Sequence, residues 1–165
     1  MNNTSIKPAV RLAGIDPKAD LEILQTSLAF EHEGIAAYRL AGASGLLAPD
    51  TLSVALLFKG HHEQHRDALA ELIRQVGVTP AEPLADTEYA RILELSKLKS
   101  QGDVIALATR LERAAATGYA GQVEALHDRR LAQLFAEISA DETIHWTVLN
   151  GAAGGKVPEA AFVFA

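Results

Sequence analysis

The chain has 165 residues, a formal net charge of −6 and no cysteine. That length is enough for one domain with a sizeable core, and the lack of cysteine excludes disulfides, thiolate metal sites and iron–sulfur clusters. The acidic balance, without a run of lysine and arginine interleaved with aromatic residues, argues against nucleic acid as a partner. Because the chain has no cysteine, any metal ion must be held by nitrogen and oxygen ligands.

The first twenty residues, MNNTSIKPAVRLAGIDPKAD, lack the apolar run of a signal peptide. No window of the sequence approaches eighteen consecutive apolar residues. We therefore expect a cytoplasmic protein without a membrane partner, although a chain from which a leader had been removed would look the same.

Alanine and leucine dominate the sequence and turn residues gather at a few points, which predicts an all-α protein. The first long helix is predicted to begin at Asp16–Pro17 and to end at Ala43. The second is predicted to begin at Pro49–Asp50, with Asp50 as its N-cap, and to end at Val76. Because the loop between them is short, we expect these two helices to pack antiparallel.

A long connection follows the second helix. Pro80 and Pro83 break the chain, and a short helix is predicted from Thr87 to Lys99 before a second break at Gly102. This segment is long enough to cross from one end of a helical bundle to the other.

The third long helix is predicted to begin at Asp103, as its N-cap, and to run to about His127, and the fourth is predicted from Arg129 to Asn150. The tail, residues 151–165, ends in Phe162, Val163 and Phe164. These residues are too apolar for a free end, so we expect them to dock on the bundle or on a second subunit.

Short loop, long crossover and short loop together are typical of a four-helix bundle with one long crossover. Its first and third helices run parallel, so the fold has an internal two-fold relation. We therefore expect a single domain over residues 1–165, with a bundle core at about 16–150.

The sequence contains the repeat that this topology predicts. Helix one has EHEGIAAY, from Glu31 to Tyr38, and helix three has ERAAATGY, from Glu112 to Tyr119, at an offset of 81 residues. Both begin with Glu, have a small residue three positions later and end with Tyr. Because seven residues nearly complete two helical turns, each Glu lies on the same face as its Tyr.

Helices two and four repeat as well. HHEQHRDAL aligns with DETIHWTVL at an offset of 80 residues, which pairs His62 with Glu142 and His65 with His145. The first of these segments also has His61, which lies at the polar edge of the stripe. His61 could support a ligand from outside or line an entrance, but we expect it to be a partly exposed histidine at this edge.

These polar residues continue apolar stripes, so they are predicted to face the bundle interior. Glu31 continues the stripe of Leu28 and Ile35, and Glu142 continues that of Ile138 and Leu149. Buried carboxylates without a partner are costly, so several carboxylates and histidines at matched heights predict a cation between them.

The repeated Glu and Tyr and the Glu-x-x-His of Glu142 and His145 resemble the ferritin-like superfamily of carboxylate-bridged di-iron and di-manganese proteins over about residues 16–150. In that family, helices one and three each give a Glu with a Tyr about two turns on, while helices two and four each give Glu-x-x-His. The resemblance implies the ligand set Glu31, His65, Glu112, Glu142 and His145, and hydrogen bonds from Tyr38 and Tyr119 to carboxylates across the bundle.

His62 departs from this pattern, because it stands where the family has a glutamate that usually bridges the metals. Three carboxylates then offset three of the four charges of a divalent pair. Neighbouring Glu63 lies about 100° around the helix and does not take its place. A nitrogen-rich two-metal site that includes His62, a mononuclear site and a bundle without metal remain open.

The resemblance implies an oxidoreductase of the ferroxidase or peroxidase-like type, in which two Fe or Mn ions react with dioxygen or peroxide, in a homodimer or larger homo-oligomer. The alternative is a bundle with no metal, or with a single ion such as Zn, in a structural or stress-related role. Iron storage is disfavoured, since it requires a multimeric shell that one sequence does not display.

Overall fold

The computed structural model describes residues 17–164, and every regular element in that range is helical. The α-helices are α1 (Pro17–Gly42), α2 (Pro49–Gln75), α3 (Asp86–Ile92), α4 (Gln101–Gln122) and α5 (Arg129–Ala152). Helices α1, α2, α4 and α5 are the four long helices predicted from the sequence. No helix in the described part of the chain is long and apolar enough to cross a bilayer.

The long helices form a four-helix bundle of two hairpins. Helix α1 packs along α2 and α4 packs along α5, while α1 also contacts α4. Each hairpin has a short connection, so its two helices run antiparallel. The predicted helical bundle with one long crossover is confirmed.

Two of the three apolar clusters in the described residues fill the bundle at different heights. The larger is built around Leu24, Leu28, Leu69, Ile73 and Phe135, which are at most 1% exposed. Burial of each such side chain contributes about 1.5–3 kcal/mol relative to leaving it in water.

The smaller cluster contains Tyr38, Phe58, Ile105 and Leu149. Along each long helix, the candidate site residues fall between the segments that supply these two clusters. The site is therefore a polar layer enclosed by apolar packing on both sides.

The predicted start of α2 at Pro49 is confirmed, but both predicted N-caps, Asp50 and Asp103, were wrong. Helix α2 has Ala48 at the N-cap and Pro49 in the first turn, and Asp50 lies inside the helix. The fixed φ of proline suits the first turn, so the cap lies two residues earlier than the predicted capping carboxylate of Asp50. Helix α4 is capped by Ser100, whose hydroxyl oxygen accepts a hydrogen bond from the backbone N–H of Asp103.

Helix α4 ends earlier than predicted, at Gln122, and a 3-10 turn at Val123–Ala125 follows. The connection to α5 is held by Asp20 of α1, which is fully buried. Its carboxylate accepts hydrogen bonds from the backbone N–H groups of His127 and Asp128. These bonds fix the start of α5 against α1, since a buried carboxylate requires such partners.

The crossover helix is also shorter than predicted. Helix α3 ends at Ile92, and a 3-10 turn at Leu95–Lys97 follows. Glu94 lies between them with a φ of 53°, in the left-handed region that interrupts a right-handed helix. The predicted continuous helix from Thr87 to Lys99 is therefore two elements.

The C-terminal tail docks in part. The ring of Phe164 packs edge-on against Trp146 of α5, with ring centroids 5.3 Å apart. The guanidinium of Arg113 of α4 also lies over the Trp146 ring, 5.8 Å from its centre. Phe162 is 88% exposed, so it does not dock on the bundle, and the other expected possibility, a contact with a second subunit, stays a prediction.

Candidate metal centre

Six polar side chains from four helices meet between the two apolar clusters. Each of them is at most 8% exposed. Helix α1 supplies one carboxylate, α4 supplies another, and α2 and α5 supply two side chains each. In chain order they are Glu31, His62, His65, Glu112, Glu142 and His145. The structure thus brings together all six residues that the sequence analysis assigned to a metal site.

Two tyrosines cross between α1 and α4 to reach this cluster. The hydroxyl of Tyr38 donates a hydrogen bond to Glu112, and the hydroxyl of Tyr119 donates one to Glu31. Each tyrosine therefore orients the carboxylate that belongs to the other half of the internal repeat. The two bonds are buried, and they reproduce the two-fold relation of the sequence.

His62 lies between the two carboxylates that the tyrosines hold. Its Nδ1 is 2.8 Å from Oε2 of Glu31, and its Nε2 is 3.2 Å from Oε1 of Glu112. Donation from both ring nitrogens requires the doubly protonated imidazolium. In this state, one positive ring links the Glu of α1 to the Glu of α4.

The cluster divides into two groups that could each hold a metal ion. One is Glu31, His62, His65 and Glu142, and the other is His62, Glu112, Glu142 and His145. Within each group, one ligand atom per residue lies within 4.8 Å of every other. His62 and Glu142 belong to both groups, so they are the shared residues of the pair.

Several buried polar atoms in the cluster have no hydrogen-bond partner within the described residues. They are Nδ1 of His65 and both carboxylate oxygens of Glu142. These atoms approach one another without good hydrogen-bond geometry: His65 Nδ1 is 3.1 Å from Glu142 Oε1. An unsatisfied buried polar atom is costly. Imidazole nitrogen and carboxylate oxygen are suitable ligands for Fe, Mn and Zn. For both reasons, the residues present fit a bound metal ion.

Residues 19–155 match the family profile of the ferritin-like domain. The chain belongs to the ferritin-like family. A conserved hypothetical protein, rv2844, from Mycobacterium tuberculosis is a similar solved structure, with a TM-score of 0.73 and 25% sequence identity over 87% of this chain and 96% of that chain. No protein of the curated set matches the chain. The likeness to a hypothetical protein supports the ferritin-like fold and gives no activity.

Opposite charges hold the ferritin-like centre together. Burial raises the pKa of Glu31, but contacts with His62 and His65 outweigh it and lower the pKa to about 2. Burial lowers the pKa of His65, but Glu142 and Glu31 outweigh it and raise the pKa to about 10.

The second half of the centre follows the same pattern, except at Glu142. Burial opposes the charged forms of His62 and Glu112. Contacts with Glu112 and Glu31 nevertheless raise the pKa of His62, and contacts with Glu142, His145 and His62 lower that of Glu112. Burial and the neighbouring carboxylate of Glu112 together raise the pKa of Glu142. Of the three carboxylates in the cluster, Glu142 is thus the one whose charged form its neighbours stabilise least.

Gly34 provides the space that the ring of His62 occupies. A Cβ atom added to Gly34 would lie 3.1 Å from Nδ1 of His62 and 3.2 Å from its Cε1, closer than ordinary van der Waals contact. Gly34 is the small residue at the third position after Glu31 in the sequence repeat. An imidazole fits in place of the family's glutamate because α1 has no side chain there.

The structure places two further residues beside the cluster, and sequence reasoning missed one of them, Asp141. Nδ1 of His61 lies 2.9 Å from Nε2 of His145, and Oδ2 of Asp141 lies 3.3 Å from Nε2 of His65. His61 is partly exposed, as expected, and it also contacts His145, which agrees with the alternative of a residue that supports a ligand. Each residue directly precedes the aligned pair His62 and Glu142, but the sequence alone does not show that α2 and α5 turn these side chains toward each other.

Glu63, in contrast, points away from the centre. Its carboxylate accepts a hydrogen bond from Lys59 at 2.6 Å on the outer side of α2. It therefore does not replace the missing carboxylate of His62, as expected from its position around the helix.

A cleft between α1 and α4 reaches the centre from outside. Its walls include the small residues Gly34, Ala115 and Gly118, and His62 and Glu112 line its inner end. The cleft has a volume of about 160 Å³, which is enough for a small molecule to lie beside His62.

Proposed function

We propose that this ferritin-like protein binds two Fe or Mn ions and reacts with dioxygen or peroxide as an oxidoreductase. The observation that carries the proposal is the pair of ligand groups that share His62 and Glu142. A single metal would leave one of these groups unused, whereas two ions use every buried carboxylate and imidazole of the cluster.

In this proposal, Glu31 and His65 would hold one ion, and Glu112 and His145 would hold the other. Glu142 belongs to both groups and would serve both ions. A neutral imidazole has one free ring nitrogen, so His62 would bind one of the two ions and would lose a second proton if it bound both. When bound, the two ions supply one-electron oxidation and reduction and a positive field for an oxygen-containing substrate.

The chain's own residues prepare this chemistry in three ways. Tyr38 and Tyr119 fix the orientation of the terminal carboxylates through buried hydrogen bonds. Phe58 stacks on the ring of His145, with centroids 4.1 Å apart, and restricts its rotation. The apolar clusters on both sides exclude water, while the cleft beside Gly34 admits small molecules.

Metal binding has to displace protons from the centre. His62, His65 and His145 all have raised pKa values, because burial is outweighed by neighbouring carboxylates. Imidazolium cannot coordinate a metal. Each ion that binds must therefore release protons from the histidines that coordinate it, and its positive charge replaces theirs. The same residues thus hold protons in the metal-free protein and metal ions in the loaded one.

A second candidate function is a metal-free bundle with a structural or stress-related role. The contacts of His62 with Glu31 and Glu112 favour it, since an imidazolium there already neutralises part of the buried negative charge. The unsatisfied oxygens of Glu142 favour the metal-binding proposal over this one.

The proposal is tested by loading the full chain with ferrous iron or Mn²⁺ and measuring consumption of dioxygen and of hydrogen peroxide. Glu142→Gln should reduce turnover at least tenfold, because it removes the shared carboxylate. Glu63→Gln is the matched control, since Glu63 lies on the same layer of the bundle but pairs with Lys59 outside the centre. The proposal fails if the loaded wild type consumes neither oxidant, or if both variants react alike.

A further inference from the structure

An apolar cavity lies at the end of the bundle where the α1–α2 loop turns. Its volume is about 240 Å³, and it is partly open to solvent. Helices α1, α2, α4 and α5 all contribute to its wall. We propose that this cavity binds an uncharged aliphatic molecule of roughly eight to ten carbon atoms.

The cavity exists because large side chains are missing where the helices would otherwise meet. The wall contains six alanine or glycine residues, which are Ala37, Ala41, Gly42, Ala55, Ala108 and Ala152. A core filled to ordinary density leaves few voids larger than a water molecule. An enclosed apolar cavity of about 150 Å³ elsewhere binds benzene, and this larger, partly open one has room for a longer hydrocarbon.

The charge of the wall narrows the class of ligand. Among the described residues that line the cavity, Asp50 is the only one with a charged side chain, and Thr51 lies next to it in the first turn of α2. A hydroxyl group could donate to Asp50, whereas a carboxylate would be repelled by it. The wall therefore selects a neutral alcohol or hydrocarbon over a fatty acid.

The cavity is next to the metal centre without being part of it. Tyr38 and Leu111 line both the cavity and the cleft that ends at His62. The hydroxyl of Tyr38 donates to Glu112, so a molecule in the cavity touches a residue that orients a carboxylate of the centre. None of the six clustered carboxylate and histidine residues lines the cavity.

The probe for this proposal is 1-octanol, titrated into the metal-free full chain by calorimetry. We expect one molecule per chain with a dissociation constant on the order of 100 μM, and binding of octanoate at least tenfold weaker. Ala108→Leu fills the cavity and should weaken octanol binding at least tenfold. Ala106→Leu is the matched control, because Ala106 is exposed on the same helix two residues away.

A second variant keeps the test decisive if Ala108→Leu does not fold. Val54→Ala shortens a side chain of the wall and so enlarges the cavity. This variant should therefore bind 1-decanol more tightly than the wild type does. The proposal is overturned if the folded wild type does not bind octanol, if octanoate binds equally well, or if neither cavity variant changes alcohol binding. Because metal is absent throughout, these outcomes are independent of the proposed oxidoreductase.

Discussion

Gly34 and His62 are matched across the α1–α2 interface. The imidazole of His62 occupies the place where a side chain on residue 34 would project, since a Cβ there would lie 3.1 Å from Nδ1. From this position the ring reaches Glu31 with one nitrogen and Glu112 with the other. The replacement of a carboxylate by a histidine thus depends on a glycine in the neighbouring helix.

Gly34→Ala tests this match. Alanine in a helix interior ordinarily stabilises by about 0.5–1 kcal/mol relative to glycine, and Gly118→Ala, with no atom within 4 Å of the new Cβ, should show that gain in the free energy of unfolding. Gly34→Ala should gain less or lose stability, because the methyl group pushes His62 from its carboxylates.

A double-mutant cycle measures the coupling directly. In the His62→Ala background, Gly34→Ala should recover the gain seen at Gly118, since the obstructing ring is gone. Equal effects of Gly34→Ala in both backgrounds, measured by urea denaturation, would contradict the match.

Tyr38→Phe and Tyr119→Phe should each destabilise the protein by about 1–3 kcal/mol, because a buried carboxylate loses its donor. They should also weaken metal binding about 10- to 100-fold, as expected when a group that orients a ligand is removed. Tyr89→Phe is the control: it removes a buried hydroxyl that accepts from the backbone N–H of Leu84 in the crossover. Loss of metal affinity in Tyr89→Phe as large as in Tyr38→Phe would argue against an orienting role.

The stability of the metal-free protein should depend on pH on both sides of a maximum. The pKa of His65 is raised to about 10, so its contribution is complete below the unfolded value of about 6.5 and is lost as pH rises toward 10. The pKa of Glu31 is lowered to about 2, so its contribution is complete above about 4.5 and is lost as pH falls toward 2.

Denaturation of the metal-free chain across this range checks both limits. The maximum should lie between about pH 4.5 and 6.5, and His65→Gln should flatten the alkaline side. A metal-loaded protein should lose stability much less between pH 6.5 and 9, since its histidines are already unprotonated. A metal-free stability that stays constant from pH 6 to 10 would contradict the pKa of His65.

His62→Glu should have opposite effects on the stability of the metal-free protein and on its affinity for metal. The change removes an imidazolium beside two carboxylates and adds a fourth buried carboxylate, so the metal-free protein should become less stable. Metal affinity should rise, because the ions then relieve a larger negative charge. The control is His32→Glu, on α1 outside the cluster. Equal effects of the two changes on metal affinity would contradict the placement of His62 within the metal centre.

The internal repeat made most of the centre predictable. Because Glu31 and Glu112 recur with their tyrosines, and His65 recurs as His145, their common height in the bundle follows from helical periodicity alone. The fit of His62 against Gly34 does not follow, since it depends on how closely α1 and α2 approach. His61 lies on the edge of the stripe, and its contact with His145 requires the relative rotation of α2 and α5.

Helix ends were less predictable for local reasons. Asp50 and Asp103 are both suitable caps by residue type, but Pro49 and Ser100 compete for the start of each helix and are favoured by their own geometry. The break at Glu94 gave no signal, because glutamate rarely adopts a left-handed conformation.

The most direct test of the account is the number of metal ions that the chain binds. The metal-free full chain, titrated with Fe²⁺ or Mn²⁺ under anaerobic conditions and then desalted, should retain two ions per chain. Glu142→Gln should retain fewer. One ion per chain in the wild type would contradict the two-metal centre in favour of a mononuclear site, and fewer than about 0.2 equivalents would contradict metal binding altogether.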